Sequence, residues 1–316
     1  MATAQEVLAA LRDVPSFLGG FPPNDQSLHF ELLIAEAFGH LLHLGFYAQD
    51  NDDPNAVHKV LWNGNLNPTQ KAPSGGADAL ANAYDYHVLV EATMRAGANQ
   101  WTMEFAQGIR HGEDFLAADQ SIRGDQVFVP LVCPSLYRDT FVAIRNRGHA
   151  YPALVPVEVG LLSVMLETCM LAFTVQHAEL RMLLNRLRRS ALNSRNLAAY
   201  NTYTTSIVTE WQSRVLRAEK PLVIGVRAYQ AIAVIGGNHA SASAILAHLQ
   251  ADPNVSRYFD LLDEKLTIQE IDACLEGTGF AYQCGRTLDD ESLYSPISRA
   301  DCTRRLNKII EKVEAI

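Results

Sequence analysis

The sequence predicts an α/β fold, with a small mixed sheet flanked by helices in the first half and a mostly α-helical C-terminal region. Three observations predict it. Short apolar runs of strand length, 87–93 and 125–134, occur in the first half. A strongly amphipathic helical stretch precedes them, and from Val157 onward apolar residues recur at helical intervals. The chain has 316 residues, 48% of them hydrophobic, enough for one large or two modest domains. The change of pattern puts the expected division at 155/156.

The elements follow in order. Gln26 to about Phe46 reads as a helix closed by Gly45. After the Gly75-Gly76 turn signal, Ala77–Tyr84 and His87–Thr93 read as two strands joined by a tight turn near Asp85-Tyr86. Asn99 to Leu116 has helical spacing. Asp125–Pro134 reads as a buried strand, with Thr140–Arg145 as its expected partner. Helices are expected over Val157–Leu187, on through Ser213-Arg214, and over Val226–Ile235, Ala240–Gln250 and Ile268–Glu276.

The chemistry concentrates in residues 75–111. A hairpin centred near 85 puts Asp78 across from Ala92 and beside Glu91. In the following helix Gln100, Glu104, Gln107 and His111 stand at i, i+4, i+7 and i+11, which is one face. Two carboxylates on adjacent strands repel unless a cation lies between them, and hard oxygen donors suit Mg2+ or Mn2+. Such an ion can polarise a phosphoryl oxygen and activate water. The same features also occur on ordinary solvated surfaces, as acids at strand ends and polar stripes on helices, so spacing alone leaves both readings open.

An acid followed by a hydrophobic strand ending in Glu-x-Lys is the signature of the PD-(D/E)xK nuclease superfamily. Asp78 with Val88-Leu89-Val90-Glu91 resembles it, except that Thr93 stands where the lysine would be. With Gly97, Gln100, Glu104 and His111, the segment resembles a subgroup that lacks the lysine, the AlwI-type restriction endonucleases and their nicking and heterodimeric Type IIS relatives. The resemblance implies a PD-(D/E)xK-like sheet and a metal-dependent, Type IIS-like site-specific deoxyribonuclease leaving 5′-phosphate and 3′-hydroxyl ends. It implies that Asp78, Glu91 and the Ala92 carbonyl hold Mg2+, with Mn2+ able to substitute. Glu104 and His111 would position the water or charge the scissile phosphate, and Gln100 would hydrogen-bond a ligand carboxylate or phosphate. In this superfamily a helix ending in Leu-Gly-Phe commonly precedes the sheet, and its glutamate sometimes reaches the metal. Here that residue is Glu31, although Glu31 and Glu36 also suit a helix surface. A nuclease fold kept as an idle DNA- or protein-binding subunit, and an RNA or structure-specific nuclease, are the alternatives.

The net charge of −9 is unfavourable for holding DNA. The exception is a basic stretch containing Arg181, Arg186, Arg188, Arg189, Arg195, Arg214 and Arg217, the expected phosphate-tracking surface, which also suits a solvated helix face or an oligomer contact. A second candidate is the Ile235–His239 turn, read as a helix-turn-helix hairpin presenting Ser241, Ser243 and His248. The region 156–316 is thus expected to bind DNA or to dimerise. Five cysteines without CxxC spacing argue for reduced thiols and against zinc. Phosphate-binding glycine loops are absent, which argues against an ATP-driven translocase. With no long apolar run or amino-terminal signal, a cytoplasmic protein is expected. One such site cuts one strand, so the expected partners are double-stranded DNA and either a second copy or a specificity or second-strand subunit.

Overall fold

The computed structural model describes residues 3–44, 61–62, 68–70, 77–83, 86–97, 99–147, 154–172, 175, 177–235, 238–287, 289–290 and 292–314. It divides into two compact units: 1–167 with 177–211, and 168–176 with 212–316. The expected division at 155/156 is corrected, because it would cut a strand of the first unit's sheet.

In the first unit, α1 (Ala4–Arg12) opens with a capping box between Thr3 and Glu6, and α2 (Val14–Gly19) starts from the Asp13 cap. Helix α3 (Gln26–Leu44) matches the expected helix, while its closing Gly45 lies outside the described residues. Its Phe30, Ile34, Ala37 and Phe38 are buried. Strands β1 (Leu61–Trp62) and β2 (Pro68–Gln70) form a small antiparallel pair. The main sheet has the order β3-β4-β5-β6, from β3 (Ala79–Ala83), β4 (Tyr86–Ala92), β5 (Val127–Cys133) and β6 (Leu154–Glu158). Strand β3 is antiparallel to β4, whereas β4, β5 and β6 are parallel, so the sheet is mixed as expected. All seven residues of β5 are buried, as a parallel strand covered on both faces requires.

Between β4 and β5 the chain forms a π-helical turn, Gln100–Phe105, that runs into α4 (Ala106–Ala118). Gly108 and Gly112 face the sheet. A Cβ on Gly108 would lie 3.4 Å from Glu91 Cγ, and one on Gly112 3.1 Å from Val129. Two glycines one turn apart thus let α4 lie close against β4 and β5.

Thr140–Arg145, expected as a strand, belongs to α5 (Arg138–Arg147). Phe141 and Ile144 are buried at a spacing of three, a helical repeat. The partner of β5 is instead β6, which leads into α6 (Val159–Leu171). Helix α7 (His177–Asn193) and the first part of α8 (Leu197–Ile235) complete this unit. Its core gathers Leu89, Phe105, Val129, Leu131, Phe141 and Tyr200, and the Tyr200 hydroxyl donates to the Pro156 carbonyl at 2.9 Å.

The second unit is mostly helical but carries a sheet that the helical pattern concealed. After α8 come β7 (Ala240–Ser241), α9 (Ala242–Ala251), α10 (Pro253–Leu262) and α11 (Ile268–Thr278). The hairpin β8 (Ala281–Arg286) and β9 (Ser292–Pro296) follows, then α12 (Arg299–Glu314), and the sheet order is β7-β9-β8. Leu222, Val226, Phe280 and Cys302 form a core cluster here. Gly225 admits α11 at close range, since a Cβ there would lie 2.6 Å from Thr278 Oγ1. The described cysteines are free thiols, as expected. No described helix is long and apolar enough to cross a membrane.

Candidate active site

Strand β4 carries Glu91 to its C-terminal end, where the residue is buried. The hairpin register pairs Ala79 with Val90 and Ala83 with Tyr86, one position away from the expected centre. Extended by one residue, it sets Asp78 opposite Glu91 rather than opposite Ala92. Asp78 Oδ2 accepts a hydrogen bond from the Ala92 N–H at 2.8 Å, which ties the acid to the β4 backbone just past Glu91. Glu91 Oε1 lies 2.5 Å from His111 Nδ1, and both side chains are 6% exposed. The buried pair joins α4 to the end of β4.

The other acids surround this pair. Burial raises the Asp78 carboxyl to about 7, with the charges of Glu31 and then Glu104 adding to it and the Ala92 N–H opposing. Glu91 is also raised, by burial first and then by Asp78, Glu104 and Glu31, with Arg110 opposing. Glu31 on α3 is half-buried, and its charge bears on both acids. Ser27 on the same helix donates to it at 3.2 Å. Glu36 is also not a surface acid, being 8% exposed.

Two cations escaped the sequence reading. Arg95 Nε meets Glu104 Oε1 at 2.6 Å. Arg110, next to His111 on α4, places Nη2 3.5 Å from His111 Nε2. Their only sequence signal was a position within the motif, because basic residues in a loop and on a helix are otherwise unremarked. Thr93, in place of the lysine, is 3% exposed, and its Oγ1 accepts from the Arg95 N–H at 3.0 Å. It shapes the turn that presents Arg95. Gly97, at φ +70°, completes that turn in a conformation disfavoured for other residues.

Gln100 stands at the start of a π-helical turn rather than in regular α-helix. The π-helical turn shifts the helical register, and Gln100 is fully buried. Its Nε2 donates to the Arg95 and Ser135 carbonyls, each at 3.1 Å, and its Oε1 accepts from the Tyr137 N–H at 2.7 Å. With its amide committed to backbone, Gln100 clamps the 93–97 turn to the loop after β5. That departs from the ligand-binding role the resemblance implied. Glu158 secures the same loop by accepting from the Leu136 N–H at 2.8 Å.

The basic stretch is divided between the units: Arg181, Arg186, Arg188, Arg189 and Arg195 fall in the first, Arg214 and Arg217 in the second. Arg186 pairs with Glu210 at 2.7 Å, Arg181 with Asp125 at 3.6 Å, and Arg217 with Glu264 at 3.5 Å. Arg188 lies over the Phe128 ring at 5.7 Å, and burial, then Arg189, lowers its guanidinium below its ordinary value. Phe128 pairs with Val88, whereas Leu131 pairs with Glu91. Arg188 therefore lies near the far end of these strands, about 10 Å along them from Glu91. Arg189, Arg195 and Arg214 are exposed.

The helix-turn-helix hairpin is corrected as well. Gly236 and Gly237 lie outside the described residues, and the following Ala240 and Ser241 form β7, paired with β9. Ser241 caps α9 and contacts Ser243 Oγ at 3.1 Å, so both serines are engaged locally.

Among the described residues no three His, Cys, Asp or Glu side chains group closely enough to enclose a metal ion. The donor chemistry nonetheless fits a hard divalent cation. Mg2+ uses one or two carboxylates and keeps several waters, and here Asp78 and Glu91 are adjacent acids whose carboxyls are raised by desolvation first and by neighbouring acids second.

A mixed sheet with an acid before β3, a second at the end of β4, and a following helix that returns to them is the arrangement that the resemblance to PD-(D/E)xK proteins led us to expect. Residues 34–151 match the family model of the AlwI restriction endonucleases. This segment is rather more than a third of the chain and contains Asp78, Glu91, Glu104 and His111, so the family resemblance holds over it. Among solved structures, the small subunit (R.BspD6I2) of the heterodimeric restriction endonuclease R.BspD6I is similar. It is 18% identical, with 64% of this chain and 97% of that chain covered and a TM-score of 0.47. No curated protein matches.

Proposed function

We propose that the protein is a metal-dependent restriction-type DNA endonuclease, or the cleavage subunit of one, hydrolysing phosphodiester bonds of double-stranded DNA. The observation that carries this reading is the placement of Asp78, bonded to the Ala92 N–H, and of the Glu91–His111 pair together at the end of β4, within the AlwI-like segment. Asp78 and Glu91, with the Ala92 carbonyl, would hold Mg2+, and Mn2+ would substitute. When bound, the ion supplies Lewis-acid polarisation of the phosphoryl oxygen and a more acidic water.

The chain's own residues do the rest. Glu91 fixes the His111 ring through Nδ1, leaving Nε2 as the nitrogen that can exchange a proton with water. Arg95 restrains Glu104 so that its second oxygen is available to position that water. In-line attack forms a bond between the water oxygen and phosphorus and breaks the P–O3′ bond. The water proton passes to His111 Nε2, the departing 3′ oxygen takes a proton from solvent water, and the products are a 5′-phosphate and a 3′-hydroxyl. A single site of this kind cuts one strand, so double-strand cleavage calls for a second copy or a second-strand subunit.

The test is Mg2+-dependent cleavage of supercoiled plasmid by wild type, Asp78→Asn and Glu91→Gln, resolving nicked from linear DNA. Wild type should nick or linearise the plasmid, and both variants should lose about 10²-fold or more in rate. Equal activity in all three proteins would overturn the site. An inactive wild type that stays inactive with lysate of the source cells added would favour an idle subunit on this fold.

A further inference from the structure

The site is acidic, with Asp78 and Glu91 side by side at the end of β4 and Glu104 nearby on the following helix, and an anionic phosphodiester must approach it. In the lysine-bearing pattern a cation two residues after the strand glutamate meets that approach. Here Thr93 fills the position, buried and neutral. Two of the nearby basic groups are already engaged: Arg95 by Glu104 at 2.6 Å, and His111 by Glu91 at 2.5 Å. Arg110 differs. Its side chain is on the exposed side of α4, it makes no ion pair with a carboxylate among the described residues, and it reaches His111 Nε2 at 3.5 Å.

We propose that Arg110 supplies the missing cation, its guanidinium receiving a non-bridging oxygen of the scissile phosphodiester beside the Glu91–His111 pair. The proposal rests on the nuclease reading and adds a substrate-contacting residue to it. A guanidinium only donates hydrogen bonds, so with Nη2 toward Nε2 the imidazole is the acceptor there, and its proton sits on Nδ1, facing Glu91. The 3.5 Å contact is long and readily exchanged. A phosphate oxygen is the stronger acceptor and matches the planar fork in bidentate fashion. Substrate entry would draw Arg110 from Nε2 to phosphate, and the freed nitrogen would be next to the reacting phosphorus. Charge on the phosphate and a proton acceptor for water would then be supplied by consecutive residues of one helix.

The experiment compares wild type, Arg110→Ala, Arg110→Lys and Asp78→Ala. Affinity for a labelled duplex of arbitrary sequence is measured without divalent metal across a salt series, and plasmid nicking is followed under single-turnover conditions with Mg2+. Loss of one phosphate contact should lower the slope of log affinity against log salt by about 1 in Arg110→Ala, while Arg110→Lys keeps the slope. The single-turnover rate should fall about 10²-fold to 10³-fold in Arg110→Ala and less in Arg110→Lys, which restores charge without the fork. Asp78→Ala should lose rate and keep the slope. An unchanged slope in Arg110→Ala overturns the proposal, even if its rate falls, because the arginine would then act only through His111. If wild type does not nick plasmid but the slope difference persists, the phosphate contact stands and the autonomous-nuclease reading fails.

Discussion

Removing one charge from the acid cluster should make the metal-free protein more stable. Asp78 holds its proton to about 7, against an ordinary 3.8, chiefly because it is buried. A raised carboxyl stabilises the fold fully below its ordinary value, and that contribution is lost as pH rises through about 7. Each tenfold change in proton affinity corresponds to about 1.36 kcal/mol. The ionised carboxylate thus costs at most roughly 4 kcal/mol above neutral pH. In Asp78→Asn the amide oxygen can still accept from the Ala92 N–H, so the bond that anchors the residue survives. Allowing for relaxation around the acid, we expect a gain of about 2 kcal/mol at pH 8, or about 4–8 °C in the melting temperature of the first unit. The gain should shrink as pH falls and vanish below about pH 4. The assay is calorimetric melting with chelator present, from acid to pH 9. An Asp78→Asn variant that melts at or below wild type at pH 8 would refute the reasoning, because the acid would then be relieved by contacts the structure does not show.

Further expectations follow from the same geometry. Stabilisation of wild type by Mg2+ should grow between pH 6 and pH 8, since the ion competes with a proton on Asp78 held to about 7, and melting shifts at fixed Mg2+ would reveal a flat response if it does not. Gln100→Leu should lose about 2 kcal/mol by urea unfolding, because three part-buried hydrogen bonds from the amide to backbone are lost; a loss below about 0.5 kcal/mol would remove the clamp from the account. Gly108→Val should push α4 off β4, separating His111 from Glu91 and reducing nicking about 10-fold or more, whereas the smaller Gly108→Ala meets only ordinary contacts at 3.4 Å and should keep most activity. Gly225→Ala should destabilise the second unit by about 1–3 kcal/mol, measured by hydrogen exchange in α8 and α11, since its Cβ would lie 2.6 Å from Thr278 Oγ1.

The elements easiest to read in the sequence were those with a single consistent period. Helix α3 and strand β5 have apolar residues in a pattern that fits only one face or one buried run, and both stand where that pattern put them. Helix α5 was misread because Thr140–Arg145 is too short to separate a strand from a helical repeat by composition, and the buried Phe141 and Ile144 decide it only when packed. The hairpin β8–β9 was missed for a related reason. Five consecutive residues from Tyr282 to Arg286 are exposed, so no buried alternation betrays the strand.

The sequence by itself determined the acid pair, the helix that follows it and the AlwI-like motif, because these depend on residue type at fixed short spacings. Only the tertiary structure decided how the rest of the cluster is used. The hairpin register, one residue from the expected one, turns on where the strands lock. The π-helical turn buries Gln100 as a clamp and leaves His111 to meet Glu91. The charge of Glu31 bears on the cluster from a helix more than forty residues upstream of Asp78, and Arg188 lies over Phe128 away from it. Such placements come from packing between segments distant in the chain, and local spacing carries no record of them.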